Sequence, residues 1–458
     1  EHAAVSLEFG TDGIRGVANR DLTPELVLAL GRAAARALGT DAPFLIARDT
    51  RLSGPLLEST LVAGIAAEGG AVELLGVLPT PGLAGACAAA ATPGAMISAS
   101  HNPFPDNGVK LFERGGRKLR DETESRIEAG LRELLAGSGS DAAAHPARDG
   151  RAVGSVTSAD DAGAAYVDRL VAAVGGDSPL QGLRLVVDCG HGAASEVAPR
   201  ALTVLGAEVE VLNAAPDGTN INDGCGSTHP EVAARAVLAS GADAGLAFDG
   251  DADRVIAIDE LGQIVDGDHA LAIAAIDLQA RGRLRHDAIA TTVMANLGLR
   301  RALEQRGITV YETPVGDRHV LAAMEEHDLV LGGEQSGHVI FGDHAVTGDG
   351  PLTGILLLEA VTRAGRPLSK LAGVVTKFPQ VLANVRVERP EGLDASAPVA
   401  DTVRSVEAEL GNDGRVLVRR SGTEPVVRVM VEAADARRAE ASVRRLEEVI
   451  TRELGART

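Results

Sequence analysis

Three aspartates at alternate positions are the strongest sign of chemistry in the sequence: Asp249, Asp251 and Asp253 of the run DGDADR. They follow the apolar run Gly245–Phe248, so they lie on a turn that leaves a predicted strand. Carboxylates this close repel one another unless a cation offsets their charge, and Mg²⁺ suits a small carboxylate set that leaves room for phosphate oxygens. The alternative is a solvated acidic turn. A calcium loop of the EF-hand type is excluded, because its sixth position needs glycine and is Arg254 here.

A second candidate is the serine loop, Ser98–Pro103 (SASHNP), which also follows a strand-like run. Small residues and a proline around Ser100 predict a tight, exposed loop that could present a nucleophilic hydroxyl; the alternative is an ordinary polar turn. No G-x-S-x-G elbow is present, so an esterase-like triad is not supported. The role of His101 stays open, since adjacent side chains on a loop seldom face each other.

Two further loops are weaker signals when each is taken alone. Gly332–His338 (GGEQSGH) offers carboxylate, hydroxyl and imidazole groups that suit a polyhydroxylated ligand. Arg419–Pro425 (RRSGTEP), with Arg428 beyond it, offers guanidinium and hydroxyl groups that suit a phosphate dianion. A fifth segment, Phe9–Gly16 (FGTDGIRG), lacks the Lys-Ser/Thr of a P-loop and the GxGxxG spacing of a dinucleotide fold, and its useful residue is Arg15.

The elements that must position these loops are short apolar runs alternating with helix-like stretches, which predict an α/β fold with parallel or mixed sheets. Helices are predicted at Pro24–Leu38 and Pro230–Ala239. Strands are predicted at Phe44–Ala47, Val72–Leu78, Ala95–Ser98, Leu183–Val187, Glu208–Leu212, Gly245–Phe248, Val255–Ile258, Ala288–Val293, Thr309–Glu312 and Leu329–Leu331. The segment Ala136–Val156 is rich in Gly, Ser, Ala and Asp and is predicted to be a linker or loop.

The sequence pattern changes from about Phe378. Predicted strands at Val416–Arg419 and Val427–Val431, followed by a final helix, indicate a smaller α+β domain. That helix places Val443, Leu446, Ile450 and Leu454 on one face. Four domains are therefore predicted, each with one of the loops above: 1–150 with the serine loop, 151–255 with the aspartates, 256–373 with Glu334, and 374–458 with Arg419.

The composition of the 458 residues limits the partners. A net charge of −20 argues against nucleic acid or an anionic membrane, but a local cluster of Arg and Lys could still bind an anionic small molecule. Cys87, Cys189 and Cys225 form no CxxC pair, so reduced thiols in a cytoplasm are expected. No secretory signal is visible, and no apolar run approaches the ~18 residues that cross a bilayer.

Together the five segments resemble one family, the α-D-phosphohexomutases. FGTDGIRG, SASHNP, DGDADR, GEQSGH and RRSGTEP occur in the family's order and span essentially the whole chain. The resemblance implies four domains around a central cleft, of which the first three are related α/β domains with mixed sheets and the fourth is a smaller α+β domain.

The resemblance also implies roles for individual residues. Ser100 would be the phosphorylated serine, and its phosphate oxygen would join Asp249, Asp251 and Asp253 in binding one Mg²⁺ ion. Arg15 and Lys110 match basic residues that assist proton transfer and charge stabilisation. The residues that match substrate contacts are Glu334, Ser336 and His338 for the sugar, and Arg419, Ser421, Gly422, Thr423 and Arg428 for the phosphate that does not react.

The reaction that this resemblance implies is the interconversion of glucosamine 6-phosphate and glucosamine 1-phosphate through a 1,6-bisphosphate, which would also act as activator. The amino sugar is favoured by Cys225-Gly-Ser-Thr, by Gln335 and by Val315-Gly-Asp-Arg318. Mutases of mannose or glucose phosphates share the same skeleton and are the nearest alternative. A metal-dependent phosphatase and a catalytically inactive phosphosugar-binding protein are the alternatives from other classes. The family also suggests a homodimer.

Overall fold

The computed structural model describes residues 13–136, 148–175, 178–421 and 425–455. The chain divides into two compact units. The first comprises Glu1–Val293 and Ile308–Gly373, and the second comprises Met294–Gly307 and Val374–Thr458.

The first sheet of the first unit carries the serine loop. Its strands have the spatial order β1-β5-β4-β2-β3-β6, with β2 parallel to β3 and β4, and with β5 antiparallel to β4 and β1. The strands are β1 (Ile14–Val17), β2 (Phe44–Arg48), β3 (Val72–Val77), β4 (Gly94–Ile97), β5 (Asp106–Phe112) and β6 (Val156–Ser158). The helices are α1 (Pro24–Leu38), α2 (Gly54–Ala67), α3 (Thr80–Ala90) and α4 (Asp121–Leu135).

Helix α1 shows how local sequence sets these elements. The hydroxyl of Thr23 accepts a hydrogen bond from the Leu26 N–H (3.3 Å), and Pro24 occupies the first turn, where its missing N–H costs nothing. The helix buries one face, including Val27 and Leu30, against the sheet core. Its observed bounds are those predicted from the sequence.

The second sheet carries the aspartate loop, Asp249–Arg254, which follows its central strand β9. The order is β11-β10-β9-β7-β8, with β7, β8 and β9 parallel and β10 antiparallel to β9. The strands are β7 (Arg184–Asp188), β8 (Glu208–Leu212), β9 (Ala244–Phe248), β10 (Val255–Asp259) and β11 (Ile264–Val265). The helices are α5 (Ala162–Ala172), α6 (Ala194–Val204) and α7 (Glu231–Ser240).

The third sheet carries the Glu334 loop, Gly332–His338, which connects the two strands of an antiparallel hairpin. The order is β13-β12-β14-β15, and only the β14–β15 pair is antiparallel among these described strands. The strands are β12 (Ala288–Thr292), β13 (Thr309–Thr313), β14 (Leu331–Gly333) and β15 (Val339–Phe341). The helices along this part of the chain are α8 (Gly267–Ala280), α9 (Leu297–Glu304), α10 (Asp317–Glu326), α11 (Gly350–Ala364) and α12 (Leu368–Ala372).

The second unit is built on an antiparallel sheet of order β16-β18-β17, namely β16 (Gln380–Arg386), β17 (Gly414–Arg420) and β18 (Val426–Ala433). Helices α13 (Ala397–Leu410) and α14 (Ala436–Leu454) pack on it. The four predicted apolar residues of the last helix, Val443, Leu446, Ile450 and Leu454, are all buried in this core. Short 3-10 turns lie at Gly150–Ala152, Gly226–Thr228, Arg285–Asp287, Pro390–Ala395 and Gly411–Asp413.

Helix α9 belongs to the second unit although it lies between β12 and β13 in the sequence. The carboxylate of Glu432, which is fully buried, accepts hydrogen bonds from the Leu297 N–H (3.0 Å), from Arg415 Nε (2.6 Å) and from Gln380 Nε2 (3.0 Å). The side chain of Asn296 exchanges two further bonds with the backbone of Phe378. A buried, fully hydrogen-bonded carboxylate thus holds the start of α9 to the sheet.

The predicted fold class is confirmed: three α/β parts with mixed sheets and a smaller C-terminal part with an antiparallel sheet. The four domain boundaries remain predictions. In the predicted linker Ala136–Val156, residues 137–147 lie outside the described part, while Val156 begins the edge strand β6 that pairs with β3. Among the described residues, no helix combines the length and the apolar character needed to cross a bilayer.

A buried contact between Tyr166 and Asp349 predicts a measurable pH dependence of stability. The Tyr166 hydroxyl donates to Asp349 Oδ1 (2.7 Å), which also caps α11 by accepting from the Leu352 N–H (2.9 Å). Burial raises the pKa of Asp349 to about 6, above the 3.8 of a free aspartate, although both hydrogen bonds oppose the shift. The folded state therefore binds the Asp349 proton more tightly than the unfolded state does. The protonated carboxyl contributes stability that is fully present below about pH 4 and is lost as the pH rises through about 6.

The variant Asp349→Asn keeps an oxygen that can accept both hydrogen bonds but has no proton to lose. Between about pH 4 and about pH 7, wild type is expected to lose roughly 2–4 kcal/mol of unfolding free energy relative to this variant. Urea unfolding across that range measures the difference, and Tyr166→Phe is the control that removes a bond without removing the charge. A difference that does not change with pH would contradict the assignment of this titration to Asp349.

Candidate active site

Ser100 lies buried in the loop between β4 and β5, with a backbone that favours glycine. Its φ angle is +52°, and its side chain is fully buried. A non-glycine residue in this region costs of order 1–3 kcal/mol and persists when its surroundings impose it. Here the Ser100 N–H donates to Ser98 Oγ (2.9 Å), and the Ser100 hydroxyl donates to Asp249 Oδ2 (2.5 Å). The structure therefore brings the predicted nucleophile directly against the predicted metal carboxylates, but in a buried position instead of the exposed loop that was predicted.

The three aspartates converge at the end of β9, where one carboxylate oxygen from each lies within 4.8 Å of the other two. Asp251 Oδ2 accepts hydrogen bonds from Thr80 Oγ1 (2.6 Å) and Lys110 Nζ (2.7 Å). Within the described part of the chain, Asp251 Oδ1 and Asp253 Oδ1 are buried without a hydrogen bond, and Arg254 Nε lies 3.6 Å from Asp253 Oδ1. Buried carboxylate oxygens without hydrogen bonds are costly unless a cation binds them, so this set of hard oxygen donors fits a divalent cation such as Mg²⁺.

The electrostatics of the cluster lead to the same conclusion. Burial, together with the charges of Asp253 and Asp251, raises the pKa of Asp249 well above its usual range. Burial alone would also raise the pKa of Asp253, but Lys110 and His338 lower that pKa below its usual range. The shifts diverge because the nearby positive charge stabilises only part of the negative charge of the three buried carboxylates. A divalent cation would supply the remaining charge.

Of the two predicted basic residues, Lys110 lies against the aspartates and Arg15 against the serine loop. Lys110 projects from β5 with only 2% of its surface exposed, and its Nζ lies 3.9 Å from Asp253 Oδ2 as well as against Asp251. Arg15 lies on β1, opposite Gly108 of β5, and its Nη1 donates to the Ala99 carbonyl (3.4 Å), one residue before Ser100. The antiparallel pairing of β1 with β5, which was not predicted, places Arg15 there.

The Glu334 loop reaches the same cluster through its last residue. His338 Nδ1 lies 3.5 Å from Asp253 Oδ2, and His338 Nε2 accepts from the Gly348 N–H (3.0 Å). Burial alone would lower the pKa of His338, but the hydrogen bond and charge of Asp253 raise it. Glu334 Oε1 accepts from the Gly316 N–H (3.1 Å), whereas Ser336 is exposed at the turn of the loop. The predicted sugar loop thus begins beside the Val315–Arg318 segment and ends at the aspartates.

The predicted phosphate loop lies in the second unit, and its arginines are neighbours. Arg419 on β17 is directly opposite Arg428 on β18, and the Ser421 N–H closes the strands by donating to the Val426 carbonyl (2.9 Å). Burial and the charge of Arg428 lower the pKa of Arg419. Like charges opposite each other in a sheet are unfavourable, so this pair is suited to an anion. The predicted contacts Gly422 and Thr423 lie outside the described residues.

Three residues of this site were missed from the sequence: Thr80, Arg51 and Asn222. Thr80 begins α3 and donates to Asp251. Arg51 and Asn222 both donate to the carbonyl of Ser100. The available signal was the position of Arg51, which lies three residues after the end of the apolar strand β2, in the charged run Arg48-Asp-Thr-Arg.

The mixed α/β sheets and the buried serine hydroxyl that donates to one of three converging aspartates point to a phosphosugar mutase. The chain belongs to the phosphoglucomutase/phosphomannomutase family. Four family models match it in order: alpha/beta/alpha domain I at residues 6–136, domain II at 164–262, domain III at 266–378 and the C-terminal domain at 382–449. The chain is accordingly an isomerase that moves a phosphoryl group.

Close relatives share nearly the full length of the chain. It is 52% identical to a phosphoglucosamine mutase of Symbiobacterium thermophilum, covering 97% of this chain and 99% of that protein. It is 49% identical to a phosphoglucosamine mutase of Streptomyces avermitilis, covering 98% and 99%.

Solved structures share the fold. A phosphoglucomutase/phosphomannomutase family protein of Burkholderia thailandensis superposes with a TM-score of 0.83 at 28% identity, covering 99% of each chain. The N-acetylphosphoglucosamine mutase of Aspergillus fumigatus, in complex with GlcNAc-6P and magnesium, superposes with a TM-score of 0.69 at 19% identity, covering 97% of this chain and 95% of that one. The second likeness is evidence of the fold alone.

Proposed function

We propose that this protein interconverts glucosamine 6-phosphate and glucosamine 1-phosphate through a phosphoserine at Ser100. The observation that carries the proposal is the 2.5 Å contact between Ser100 Oγ and Asp249 Oδ2 at the edge of the buried carboxylate cluster. Relatives at about half identity over nearly the whole chain are named phosphoglucosamine mutase, which supports the amino sugar over glucose or mannose.

The reaction has two half-reactions that mirror each other. In the first, the bond between phosphorus and Ser100 Oγ breaks and a new bond forms to the free hydroxyl oxygen of the sugar phosphate, giving the 1,6-bisphosphate. The hydroxyl proton leaves the sugar and Ser100 Oγ regains a proton. The bisphosphate then turns end for end, and its other phosphoryl group returns to Ser100. Free sugar 1,6-bisphosphate would therefore act as activator by restoring a phosphoserine that has been lost.

The carboxylates and basic groups contribute by position and charge. Asp249, Asp251 and Asp253, with a phosphoserine oxygen, would hold one Mg²⁺ ion, which supplies positive charge to the transferring group. Lys110, whose Nζ lies 2.7 Å from Asp251 Oδ2, would stabilise negative charge and pass the proton between oxygens. Arg15 would assist from the other side of the serine loop.

Substrate contacts follow the two remaining loops. Glu334 and Ser336 would bind ring hydroxyls, and His338 would join them at the end of the loop nearest Asp253. Arg419, Ser421 and Arg428, with Gly422 and Thr423, would grip the phosphate that is not reacting. The like-charged pair of Arg419 and Arg428 supports this assignment, because a phosphate dianion would relieve its repulsion.

The setting of the enzyme is part of the same proposal. We expect it to act in the cytoplasm in amino-sugar metabolism that supplies peptidoglycan precursors, to bind neither nucleic acid nor membrane, and to form a homodimer. All three cysteines are free and buried, in keeping with a reducing compartment.

The test is turnover of glucosamine 6-phosphate by the phosphorylated protein with Mg²⁺ and a trace of sugar bisphosphate, beside mannose and glucose phosphates. The expected result is the highest kcat/KM for the glucosamine phosphates. Preference for another hexose phosphate would overturn the assignment of the substrate but not the mutase reaction. Release of inorganic phosphate in step with substrate loss would show a phosphatase and overturn the mutase reaction.

A further inference from the structure

Arg51 is a fully buried arginine whose donors converge on the backbone of the serine loop. It lies just after β2 and is 1% exposed. Its guanidinium donates to four carbonyls, three in the serine loop and one at the start of β5. These are Ser100 O (2.9 Å) and Asn102 O (2.8 Å) from Nη2, and Pro103 O (2.6 Å) and Asp106 O (3.0 Å) from Nη1. A planar fork of fixed donors suits several carbonyls at once, which lysine cannot match.

The counterion of Arg51 closes the network on the other side of the loop. Asp49 Oδ2 accepts from Arg51 Nε (2.9 Å) and from the Ser98 hydroxyl (2.6 Å). The oxygen of that hydroxyl accepts from the Ser100 N–H. The carbonyl and the N–H of Ser100 are thus both fixed by one connected set of side chains. This set accounts for the positive φ of Ser100.

The segment around Arg51 is also tied to the second sheet, where the aspartates lie. The Thr50 hydroxyl donates to the His191 carbonyl (2.6 Å), and the Leu52 N–H donates to the Gly218 carbonyl (2.8 Å). Asn222 Nδ2 donates to the carbonyls of Ser100 (2.9 Å) and Asn102 (3.1 Å). The same segment therefore binds both the serine loop and the loops that follow β7 and β8 in the second sheet.

The serine loop and the aspartate loop are in close backbone contact at Gly250. A Cβ atom on Gly250, between Asp249 and Asp251, would lie 2.5 Å from the Ser100 carbonyl oxygen. Glycine is required there, and a small displacement of the serine loop would either collide with Gly250 or separate Ser100 from Asp249.

From these contacts we infer that Arg51, with Asp49 and Asn222, is a positioning residue that sets the distance of the Ser100 oxygen from the metal carboxylates. The inference rests on the proposed role of Ser100 as phosphoryl donor. Arg51 touches no reacting atom, since its bonds go to backbone carbonyls and to Asp49. Its effect must therefore appear in the rate of phosphoryl transfer and not in the affinity for the sugar.

The test compares wild type with Arg51→Lys, which keeps the charge beside Asp49 but cannot reach four carbonyls. We expect kcat to fall about 100-fold, the order of loss that follows a displacement of ~1 Å. KM for the sugar phosphate should stay within about twofold. The ³¹P resonance of phospho-Ser100 should shift or broaden, because its surroundings change. The matched control is Arg36→Lys, a mostly buried arginine of helix α1 that pairs with Glu68, and its kcat should stay within about twofold.

A second variant keeps the test decisive if Arg51→Lys folds poorly. Asn222→Ala removes bonds to the same two carbonyls from the other side, and we expect a loss of about 10-fold in kcat with KM unchanged. Unchanged kcat and an unchanged ³¹P resonance in a folded Arg51→Lys or Asn222→Ala variant would overturn the inference. So would an equal loss in Arg36→Lys.

Phosphorylation of wild type, measured by intact mass after exposure to sugar bisphosphate, separates this inference from the proposed function. A wild type that takes no phosphoryl group on Ser100 contradicts both. A phosphorylated wild type that prefers another hexose phosphate contradicts only the substrate, and the variants are then compared on that sugar. A phosphorylated, active wild type that the variants match contradicts the role of Arg51 alone.

Discussion

Replacing Ser100 with alanine is expected to lower kcat by at least about 10,000-fold, because the change removes the atom that carries the phosphoryl group between the two half-reactions. The neighbouring geometry should survive, since the Ser100 hydroxyl donates one hydrogen bond, to Asp249, and the loop itself is held by backbone contacts. Loss of that bond should cost about 1–3 kcal/mol of unfolding free energy. Binding of sugar phosphate and of Mg²⁺ should remain.

Steady-state turnover and intact mass after exposure to sugar bisphosphate measure this result together. Wild type should gain the mass of one phosphoryl group and the variant none. Ser195→Ala is a suitable control, because that part-buried serine donates to the Gly192 carbonyl and its loss should leave turnover unchanged. Turnover retained in Ser100→Ala would contradict the role of Ser100.

The second large effect is expected from Asp251→Asn. Asp251 accepts from both Thr80 and Lys110 through one oxygen, while its other oxygen is buried without a hydrogen-bond partner among the described residues. An amide in this place removes one negative charge from the metal site and the counterion of Lys110. We expect Mg²⁺ affinity to fall at least 10–100-fold and kcat to fall about 1,000-fold at a concentration of Mg²⁺ that saturates wild type.

Calorimetric titration with Mg²⁺, and kcat as a function of Mg²⁺ concentration, measure the two losses separately. Asp259→Asn is the matched control, because Asp259 is equally buried at the end of β10 but binds the backbone of its own turn, at Leu261 and Gln263. That variant should keep its metal affinity. Unchanged Mg²⁺ affinity in Asp251→Asn, or an equal loss in Asp259→Asn, would place the metal elsewhere.

Much of the fold follows from local pattern. The predicted and observed bounds of α1 agree, and local sequence explains them, because Thr23 and Pro24 mark its start and apolar residues recur on one face. The serine and aspartate loops were recognised because each follows an uninterrupted apolar strand, β4 or β9, and small or charged residues end it at once. In both cases the information lies within a few residues of the feature that it predicts.

The features that escaped prediction depend on contacts between distant parts of the chain. Nothing near Arg51 indicates that its partners are some fifty residues further on, and the donors Thr80 and Asn222 carry no mark that separates them from ordinary turn residues. The prediction that Ser100 lies on an exposed loop was wrong for the same reason. Its local sequence is that of a surface turn, and it is buried by residues distant in the sequence, namely Arg51, Asn222 and the aspartate loop.

The place of α9 bears on how this protein can be divided into fragments. Residues 374–458 form a continuous stretch of chain, but the structural unit to which they belong is discontinuous, because Met294–Gly307 is inserted into it from upstream. A fragment cut at residue 374 would expose the carboxylate of Glu432 and leave the carbonyl and N–H of Phe378 without Asn296. Both stretches of sequence are therefore needed for the C-terminal unit to fold on its own, and a fragment that contains only one of them is incomplete.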